Sequence, residues 1–426
     1  MERTVLHELV SWKNEEDRKP LILNGARQVG KTWILREFAK KEYNKEAYVI
    51  CRKNELAKSI FAKDFDVERI LRGLRAITSV DITPGDTLII LDEVQDIPEA
   101  IESLKYFCEQ APQYHIAVAG SLLGISLHDN VSYPVGKVDE IHMYPMSFEE
   151  FLLAKGENEI YKSVVARDYD TTNIVHEKLV ELLRQYYYVG GMPEAVKKYV
   201  ETGALQAVRR IQNRILSGYD IDFSKHAPAE QVQRIRMVWR SIPSQLFKEN
   251  KKFIYGTLRK GARAKDFELA IEWLVNSGLV YKVTRCNKLS LPLAIYEDLA
   301  AFKLYFVDIG LLGAMVGTEA GQILISNNAF TEYKGGMTEQ YVLQQYLSHG
   351  VSPIYYHKTD DSRLEIDFVT QSSGSILPVE VKAEGNVRAN SLTTLLSNNP
   401  GMQAIRYSML PYRKQGQLTC MPLYMV

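Results

Sequence analysis

Cysteine and histidine are scarce in this sequence of 426 residues. Its four cysteines, Cys51, Cys108, Cys286 and Cys420, lie far apart and form no Cys-x-x-Cys pair. This spacing argues against a disulfide framework or a zinc site and is typical of reduced thiols in a cytoplasmic protein. The 8 histidines contain no His-x-x-x-His pair, so that zinc-binding signature is absent.

Net charge and long apolar segments are also missing. The 52 Lys and Arg residues balance 52 Asp and Glu residues, so any attraction for nucleic acid must be local. The best apolar candidate, 304–317, is interrupted by Asp308 and is too short to span a bilayer. The charged N-terminus lacks a signal-peptide core, and we therefore expect no membrane partner.

A complete phosphate-binding loop stands out in what is present. A short apolar run at 21–23 leads into GARQVGKT, which matches G-x-x-x-x-G-K-[ST] between a predicted strand and a predicted helix. The backbone N–H groups of such a loop and the positive end of its helix bind a polyphosphate. Lys31 is expected to reach the β- and γ-phosphates, and Thr32 to ligate Mg²⁺. The predicted nucleotide-binding residues here are Gly25, Ala26, Arg27, Gln28, Val29, Gly30, Lys31, Thr32 and Trp33.

A second nucleotide-handling motif is TLIILDE at 87–93. Its apolar run predicts a buried parallel strand that ends at a ligand crevice. Asp92 is predicted to hold Mg²⁺, directly or through water, and Glu93 to be the general base that polarises the attacking water. Alone, the motif also fits a plain strand end; the loop upstream favours the catalytic interpretation.

Strands that alternate with helices predict an α/β fold with a five-stranded sheet. Besides the two already named, strands are predicted at 47–51, 115–120 and 138–143, and a helix at 4–13. Ser121 follows the fourth strand. It is either a sensor of the γ-phosphate or the cap of the next helix.

The motifs GARQVGKT, LIILDE, VAGSLLG, MYPMSFEEFL and YVGGMPEAV together resemble a bacterial and archaeal family of AAA-type P-loop ATPases. In that family the C-terminal half is a domain of unknown function that is similar to PD-(D/E)xK nucleases. The resemblance implies ATP as the nucleotide, and no guanine-reading Asn-Lys-x-Asp motif opposes it. DNA and further copies of this chain, as in a homo-oligomer, stay open as partners.

Two more positions take their expected roles from the resemblance. The Gly-Gly-x-Pro turn at 190–193 resembles an element that related ATPases place against the adenine, so Pro193 is expected to contact the base. A tight helix–helix turn is the alternative. Lys137 stands where family members often have an arginine, and because lysine is a single-pronged substitute, we assign no trans-acting arginine.

The segment 231–288 is strongly basic. It contains 13 Lys and Arg residues and 4 acidic ones, hence +9 in a neutral chain. Helix, basic turn, amphipathic helix at 266–277 and strand at 279–283 predict a winged helix. Its charge fits either DNA phosphates or a solvated face of a packing module.

A third set of chemical residues lies near the C-terminus. Glu339 is in a predicted helix, Asp367 in a strand at 364–369, and Glu380 with Lys382 on one face of a strand at 378–383. Two carboxylates and a helix glutamate can bind a second Mg²⁺ or Mn²⁺, and the lysine can activate water for phosphodiester cleavage. This is the Glu…Asp…Glu-x-Lys pattern of PD-(D/E)xK nucleases, although such a pattern can also be a surface charge ladder.

Four domains follow from these assignments. They are an ATPase core at 1–155, a helical lid at 156–228, a winged helix at 229–290 and a nuclease-like domain at 291–426. The leading hypothesis is a DNA-associated ATPase with a nuclease-like C-terminal domain. The alternative is a nucleotide-dependent interaction switch in which that domain is an inactive scaffold; a nucleotide kinase is disfavoured because no acceptor-site signature is present.

Overall fold

The computed structural model of the chain describes residues 1–120, 133–248, 251–320, 323, 331–360, 364–372, 374–383 and 390–426. These residues form two compact units. The N-terminal unit contains Glu2–Tyr144 with Asn276–Gly278, and the C-terminal unit contains Pro145–Val275 and Leu279–Val426 together with Met1. No helix among the described residues is long and apolar enough to cross a membrane.

The N-terminal unit is a five-stranded parallel sheet with helices between its strands. Its elements are α1 Val5–Asn14, β1 Leu21–Gly25, α2 Lys31–Glu42, β2 Lys45–Ile50, α3 Glu55–Ala62, α4 Val67–Thr78, β3 Thr87–Asp92, α5 Pro98–Gln110, β4 His115–Ala119 and β5 Asp139–Met143. The strand order is β2-β3-β4-β1-β5. Every residue of β1, β3 and β4 is buried, as expected of central strands covered on both faces. The predicted α/β core with five strands is confirmed.

The parallel arrangement sets the position of the motifs. The ladder pairs Asp92 at the end of β3 with Ile50 of β2 and Ala119 of β4. The phosphate loop follows β1, which pairs with β4. Because parallel strands end at the same edge of a sheet, the loop and the Asp92–Glu93 pair emerge at one crevice.

The C-terminal unit begins with helices and ends with a mixed sheet. Its helices are α6 Phe148–Ala154, α7 Asn158–Val165, α8 Tyr169–Ile174, α9 His176–Val189, α10 Pro193–Thr202, α11 Leu205–His226, α12 Val232–Leu246, α13 Ala264–Asn276, α14 Ile309–Met315, α15 Thr331–Ser348 and α16 Asn390–Asn398. Its strands are β6 Val280–Cys286, β7 Glu297–Phe306, β8 Ile354–Lys358, β9 Glu365–Ser372, β10 Ser375–Val381, β11 Ala404–Ser408, β12 Arg413–Gln415 and β13 Leu418–Pro422.

The eight strands of this sheet run in the order β12-β13-β11-β10-β9-β8-β6-β7. β6 pairs antiparallel with β7 and parallel with β8, while β9 forms antiparallel ladders with β8 and β10. The predicted domain boundary between 290 and 291 falls between β6 and β7. In the structure, the antiparallel β6–β7 ladder crosses that boundary within one sheet.

Candidate functional site

Glycine is required at both ends of the phosphate loop. Gly25 has φ +146°, and a Cβ placed there would lie 2.3 Å from the carbonyl oxygen of Met143. Gly30, the residue before α2, has φ +99°. Both conformations are rare for residues with a side chain. The sequence therefore uses glycine where the loop must turn, and the turn directs the loop toward the first N–H groups of α2.

The ammonium of Lys31 lies inside this loop. Its Nζ donates hydrogen bonds to the carbonyl oxygens of Gly25 and Ala26, each at 2.8 Å. Burial, partly offset by the negative charge of Glu93, lowers the pKa of Lys31 to about 8. A positive charge held in a desolvated cradle with few partners is suited to a polyphosphate anion.

The two predicted Mg²⁺ ligands lie in direct contact. The hydroxyl of Thr32 donates to Oδ2 of Asp92 at 2.8 Å, although the residues are far apart in sequence. The hydroxyl of Tyr48 donates to the same oxygen, also at 2.8 Å. A hydroxyl and a carboxylate are the hard oxygen donors that Mg²⁺ prefers, so this pair fits the cation.

Glu93 follows β3 directly and has a left-handed backbone, with φ +53°. The side-chain amide of Gln95 donates to its Oε2 at 2.6 Å, and the carboxylate of Asp92 accepts from its backbone N–H at 3.0 Å. These bonds fix a carboxylate at the strand end beside the loop. Its position is consistent with the predicted role as a base.

Two residues of the site escaped the sequence analysis. Tyr48 on β2 contacts Asp92. Arg3 contacts the loop, since its guanidinium donates to the carbonyl oxygens of Val29 at 2.9 Å and Tyr144 at 2.7 Å. These contacts join residues that are distant in the chain. No local sequence pattern predicts them. The spacing of apolar residues indicates which positions are buried, but it does not identify a contact partner that is far away in the sequence.

The remaining predicted loop residues differ in exposure. Arg27 is partly buried, Gln28 is exposed with φ +68°, and Trp33 is 44% exposed at the start of α2. Lys137, the position compared with an arginine finger, pairs with Glu109 at 2.9 Å. Ser121 lies outside the described residues. Contact of Arg27, Gln28 and Trp33 with nucleotide stays a prediction.

The Gly-Gly-x-Pro turn lies in the C-terminal unit and has a packing role there. The N–H of Gly191 donates to Oδ2 of Asp308 at 2.6 Å. A Cβ on Gly190 would lie 2.3 Å from Oδ1 of Asp308, and one on Gly191 would lie 2.2 Å from the carbonyl oxygen of Met146. Pro193 occupies the first position of α10, where its fixed φ favours a helix start. Its contact with adenine stays a prediction.

The structure brings Glu339 and Asp367 into one buried group, which we call the lysine–carboxylate cluster. Its members are Lys251, Lys303, Glu339, Lys358, Glu365 and Asp367. Glu339 contacts the ammonium of Lys251 through Oε1, and its Oε2 accepts from the hydroxyl of Tyr305 at 3.2 Å. Burial and the negative charge of Glu339 raise the pKa of Asp367 to about 7.

Glu380 has other partners. Its carboxylate lies 3.1 Å from the ammonium of Lys382 and 3.1 Å from the guanidinium of Arg406. Asp367 is nevertheless close in the sheet, since its Oδ2 accepts from the N–H of Val381 at 2.8 Å. The expected hairpin thus places Asp367 beside the Glu-x-Lys strand. Among the described residues, no three His, Cys, Asp or Glu side chains are grouped so that they could hold a metal ion.

Comparison with known families assigns the N-terminal region. Residues 17–152 match the model of an AAA domain. Residues 180–322 and 334–424 match two domains of unknown function, DUF8612 and DUF4143. No curated protein matches the chain. Together with the complete loop and the Thr32–Asp92 contact, the AAA match shows that residues 17–152 form an AAA-type P-loop domain and that the protein is an ATPase.

Solved structures with similarity to this chain include a Walker-type ATPase of Pyrococcus abyssi, which is 15% identical with a TM-score of 0.47 and aligns over 74% of this chain and 95% of its own. The Aeropyrum pernix ORC1 protein in complex with DNA is 14% identical, with a TM-score of 0.27 and coverage of 75% and 92%. Thermotoga maritima RuvB is 14% identical, with a TM-score of 0.27 and coverage of 65% and 85%.

Proposed function

We propose that this ATPase associates with DNA and that its C-terminal part has a nuclease-like fold. The observation that carries the first part is a run of exposed basic side chains at the start of α13. The second part is supported by the position of Asp367 beside the Glu-x-Lys strand. The ATPase site supplies the free energy for a change of state, which the other modules use.

The chemistry at the nucleotide follows from the residues of the crevice. Lys31 and the loop N–H groups bind the phosphates, while Thr32 and Asp92 would hold Mg²⁺, which would neutralise phosphate charge when bound. The carboxylate of Glu93 accepts a proton from the attacking water. Tyr48 keeps the Asp92 carboxylate in place through its hydrogen bond, so it acts as a positioning residue.

Exposed positive charge is concentrated at the start of α13. Arg259, Lys260, Arg263 and Lys265 are all exposed within seven residues. Elsewhere in the basic segment, Arg236 pairs with Asp220 at 3.0 Å and Arg285 with Asp298 at 2.8 Å, so their charge is already compensated. The N-terminal end of a helix with nearby cations is suited to DNA phosphates.

We expect DNA binding to depend on these four side chains. Changing them together to glutamine should weaken binding to duplex DNA at every sequence tested. The slope of log K against log salt is negative, and each lost phosphate contact reduces its magnitude by about 0.9, hence by up to about 3–4 for four contacts. Fluorescence anisotropy over a salt series measures both quantities.

A matched control removes the same charge elsewhere. Arg52, Lys58, Lys63 and Arg72 are also exposed but lie in the N-terminal unit. Their replacement by glutamine should leave the salt slope near that of the wild type. An equal loss in both variants would mean that net charge alone governs binding, and wild-type protein without salt-dependent binding would contradict the proposal.

The ion pairs of Glu339 and Glu380 favour a second candidate, an ATP-dependent switch whose nuclease-like domain does not cut DNA. Carboxylate oxygens that already contact lysine or arginine are poor ligands for a metal ion. We expect neither the wild type nor Asp367→Ala to nick branched or linear DNA with Mg²⁺ or Mn²⁺. Nicking by the wild type that Asp367→Ala abolishes would instead establish an active nuclease.

A further inference from the structure

The lysine–carboxylate cluster is assembled from five separate parts of the C-terminal unit, one of which is β8 with Lys358. Lys251 lies in the connection between α12 and α13, Lys303 in β7, Glu339 in α15 and Asp367 in β9. Lys303 and Glu339 are almost completely buried. Burying a charge costs free energy unless an opposite charge compensates it. The charges of the cluster therefore depend on one another.

The carboxylate oxygens of Glu339 and Glu365 lie close to lysine side chains of the chain itself. The carboxylate of Glu365 lies 3.0 Å from the ammonium of Lys303 and 2.9 Å from that of Lys358. Glu339 contacts Lys251 on one oxygen and has Lys303 at 3.8 Å from the other. Both oxygens of Glu339 and both oxygens of Glu365 are therefore close to a positive charge of the chain, and Oδ2 of Asp367 accepts from the backbone N–H of Val381 at 2.8 Å.

The positive charges of the cluster are at least as many as its negative charges. Three ammonium groups, on Lys251, Lys303 and Lys358, face at most three negative charges, on Glu339, Glu365 and Asp367, because burial and the charge of Glu339 raise the pKa of Asp367 to about 7. A divalent cation added to this group would bring two uncompensated positive charges into a buried site, which is strongly unfavourable. The residues as arranged do not fit Mg²⁺ or Mn²⁺.

One of the three lysines differs from the other two. Lys303 and Lys358 lie in strands of the sheet, whereas Lys251 lies in a connecting segment. The Lys251 side chain keeps 15% of its surface exposed, against 1% for Lys303 and 20% for Lys358, so the difference lies in the connecting segment and not in exposure. Lys251 is thus the cation that contacts a predicted metal ligand from outside the sheet and can leave without breaking a strand.

We propose that the ammonium of Lys251 occupies the place of a divalent cation beside Glu339 and Asp367 and excludes Mg²⁺ and Mn²⁺ from the C-terminal unit. The inference rests on the proposed nuclease-like fold for the identity of those ligands. It assigns to Lys251 a role that its position in a basic, predicted DNA-binding segment would not suggest. Withdrawal of Lys251 opens a cation site.

The test measures Mn²⁺ binding by the loss of the free-ion signal in electron paramagnetic resonance. All proteins carry Thr32→Ala, which weakens the metal site of the ATPase crevice. The parent should show no binding that depends on Glu339. Lys251→Gln should bind Mn²⁺ at least about tenfold more tightly than any residual binding of the parent, since it removes one contacting positive charge, and adding Glu339→Gln should abolish the gain.

The neighbouring exposed lysine provides a matched control. Lys252→Gln removes the same charge one residue away and should leave Mn²⁺ binding unchanged. An equal gain in Lys252→Gln, or no gain in Lys251→Gln with an unchanged unfolding temperature, overturns the proposal. If Lys251→Gln does not fold, the parent decides: Mn²⁺ binding that Glu339→Gln abolishes refutes exclusion, and absence of such binding supports it.

Failure of this inference and failure of the proposed function give different results. The salt dependence of DNA binding is measured on the wild type and does not involve the cluster. A variant that gains Mn²⁺ but cuts no DNA supports exclusion by Lys251 and counts against nuclease chemistry. A parent protein that binds Mn²⁺ through Glu339 refutes exclusion and leaves DNA association untouched.

Discussion

Replacing Glu93 with glutamine is expected to lower ATP turnover by about 10²–10⁴-fold while ATP binding persists. Glutamine has nearly the same size and can still accept the hydrogen bond from Gln95, which joins Glu93 Oε2 at 2.6 Å in the wild type. It cannot take a proton from water, however. Phosphate release should fall, whereas titration with a fluorescent ATP analogue should give a dissociation constant close to that of the wild type.

A nearby carboxylate provides the control for Glu93. Asp96 lies three residues further on and is exposed, so Asp96→Asn removes the same charge close to the crevice without touching the proposed base. Its turnover should stay near the wild-type value. Hydrolysis by Glu93→Gln at the wild-type rate would refute the assignment of the base, and a similar loss in both variants would point to a general electrostatic effect.

The sequence was most informative where function and local geometry impose the same residues. The loop needs glycine at positions 25 and 30 because φ is positive at both residues. Binding of phosphate and Mg²⁺ needs Lys31 and Thr32. Likewise, a central parallel strand needs an unbroken apolar run, which made TLIILDE recognisable. The element order of the N-terminal unit followed from such signals, because each depends on residues close together in the chain.

Contacts between residues that are far apart in the sequence could not be predicted in this way. Tyr48 reads as one more residue of a β-strand, and only the fold shows that its hydroxyl donates to Asp92. Gly190 and Gly191 suggested proximity to adenine, but their immediate requirement is close packing against Asp308 and Met146. A glycine signals a close approach without naming what approaches.

The same limit applies to the ion pairs of the C-terminal site, because their partners are far apart in the sequence. Asp367, Glu380 and Lys382 were expected to lie near one another, and the β9–β10 hairpin does place Asp367 beside their strand. No pattern in the sequence indicates that Lys251 and Lys303 lie against the oxygens of Glu339 or that Arg406 pairs with Glu380. A metal-binding pattern in the sequence names the possible ligands of a metal ion. It does not show which lysine or arginine side chains from other elements contact the same oxygens.

Replacing Lys31 with alanine is expected to weaken ATP binding by about a hundredfold or more and to abolish turnover. A charge-assisted hydrogen bond contributes about 1.5–3 kcal/mol, and Lys31 is proposed to make such bonds to two phosphates. Alanine also leaves the carbonyl oxygens of Gly25 and Ala26 without the donor they have in the wild type. Isothermal titration with magnesium-ATP measures the loss, and unchanged affinity would refute the proposed contact.

The pKa of Lys31 adds a pH dependence that separates its charge from its shape. Burial holds that pKa at about 8 in the free protein, where Glu93 raises and Arg27 lowers it, and bound phosphate must raise it further because it favours the ammonium. Below about pH 8 the lysine is charged in both states and its contribution is constant. Above that value the free lysine is neutral, so binding takes up a proton and affinity falls by up to about tenfold per pH unit.

Calorimetry in two buffers of different ionisation enthalpy detects this proton uptake directly. His142, whose pKa burial and the charge of Lys31 lower to about 4, stays neutral over the same range and does not contribute. The Lys31→Ala protein should lose the decline in affinity above pH 8, since it has no ammonium to deprotonate. If affinity fell equally in both proteins above pH 8, another group would be the one that titrates. Lys31 would then stay charged over the whole pH range.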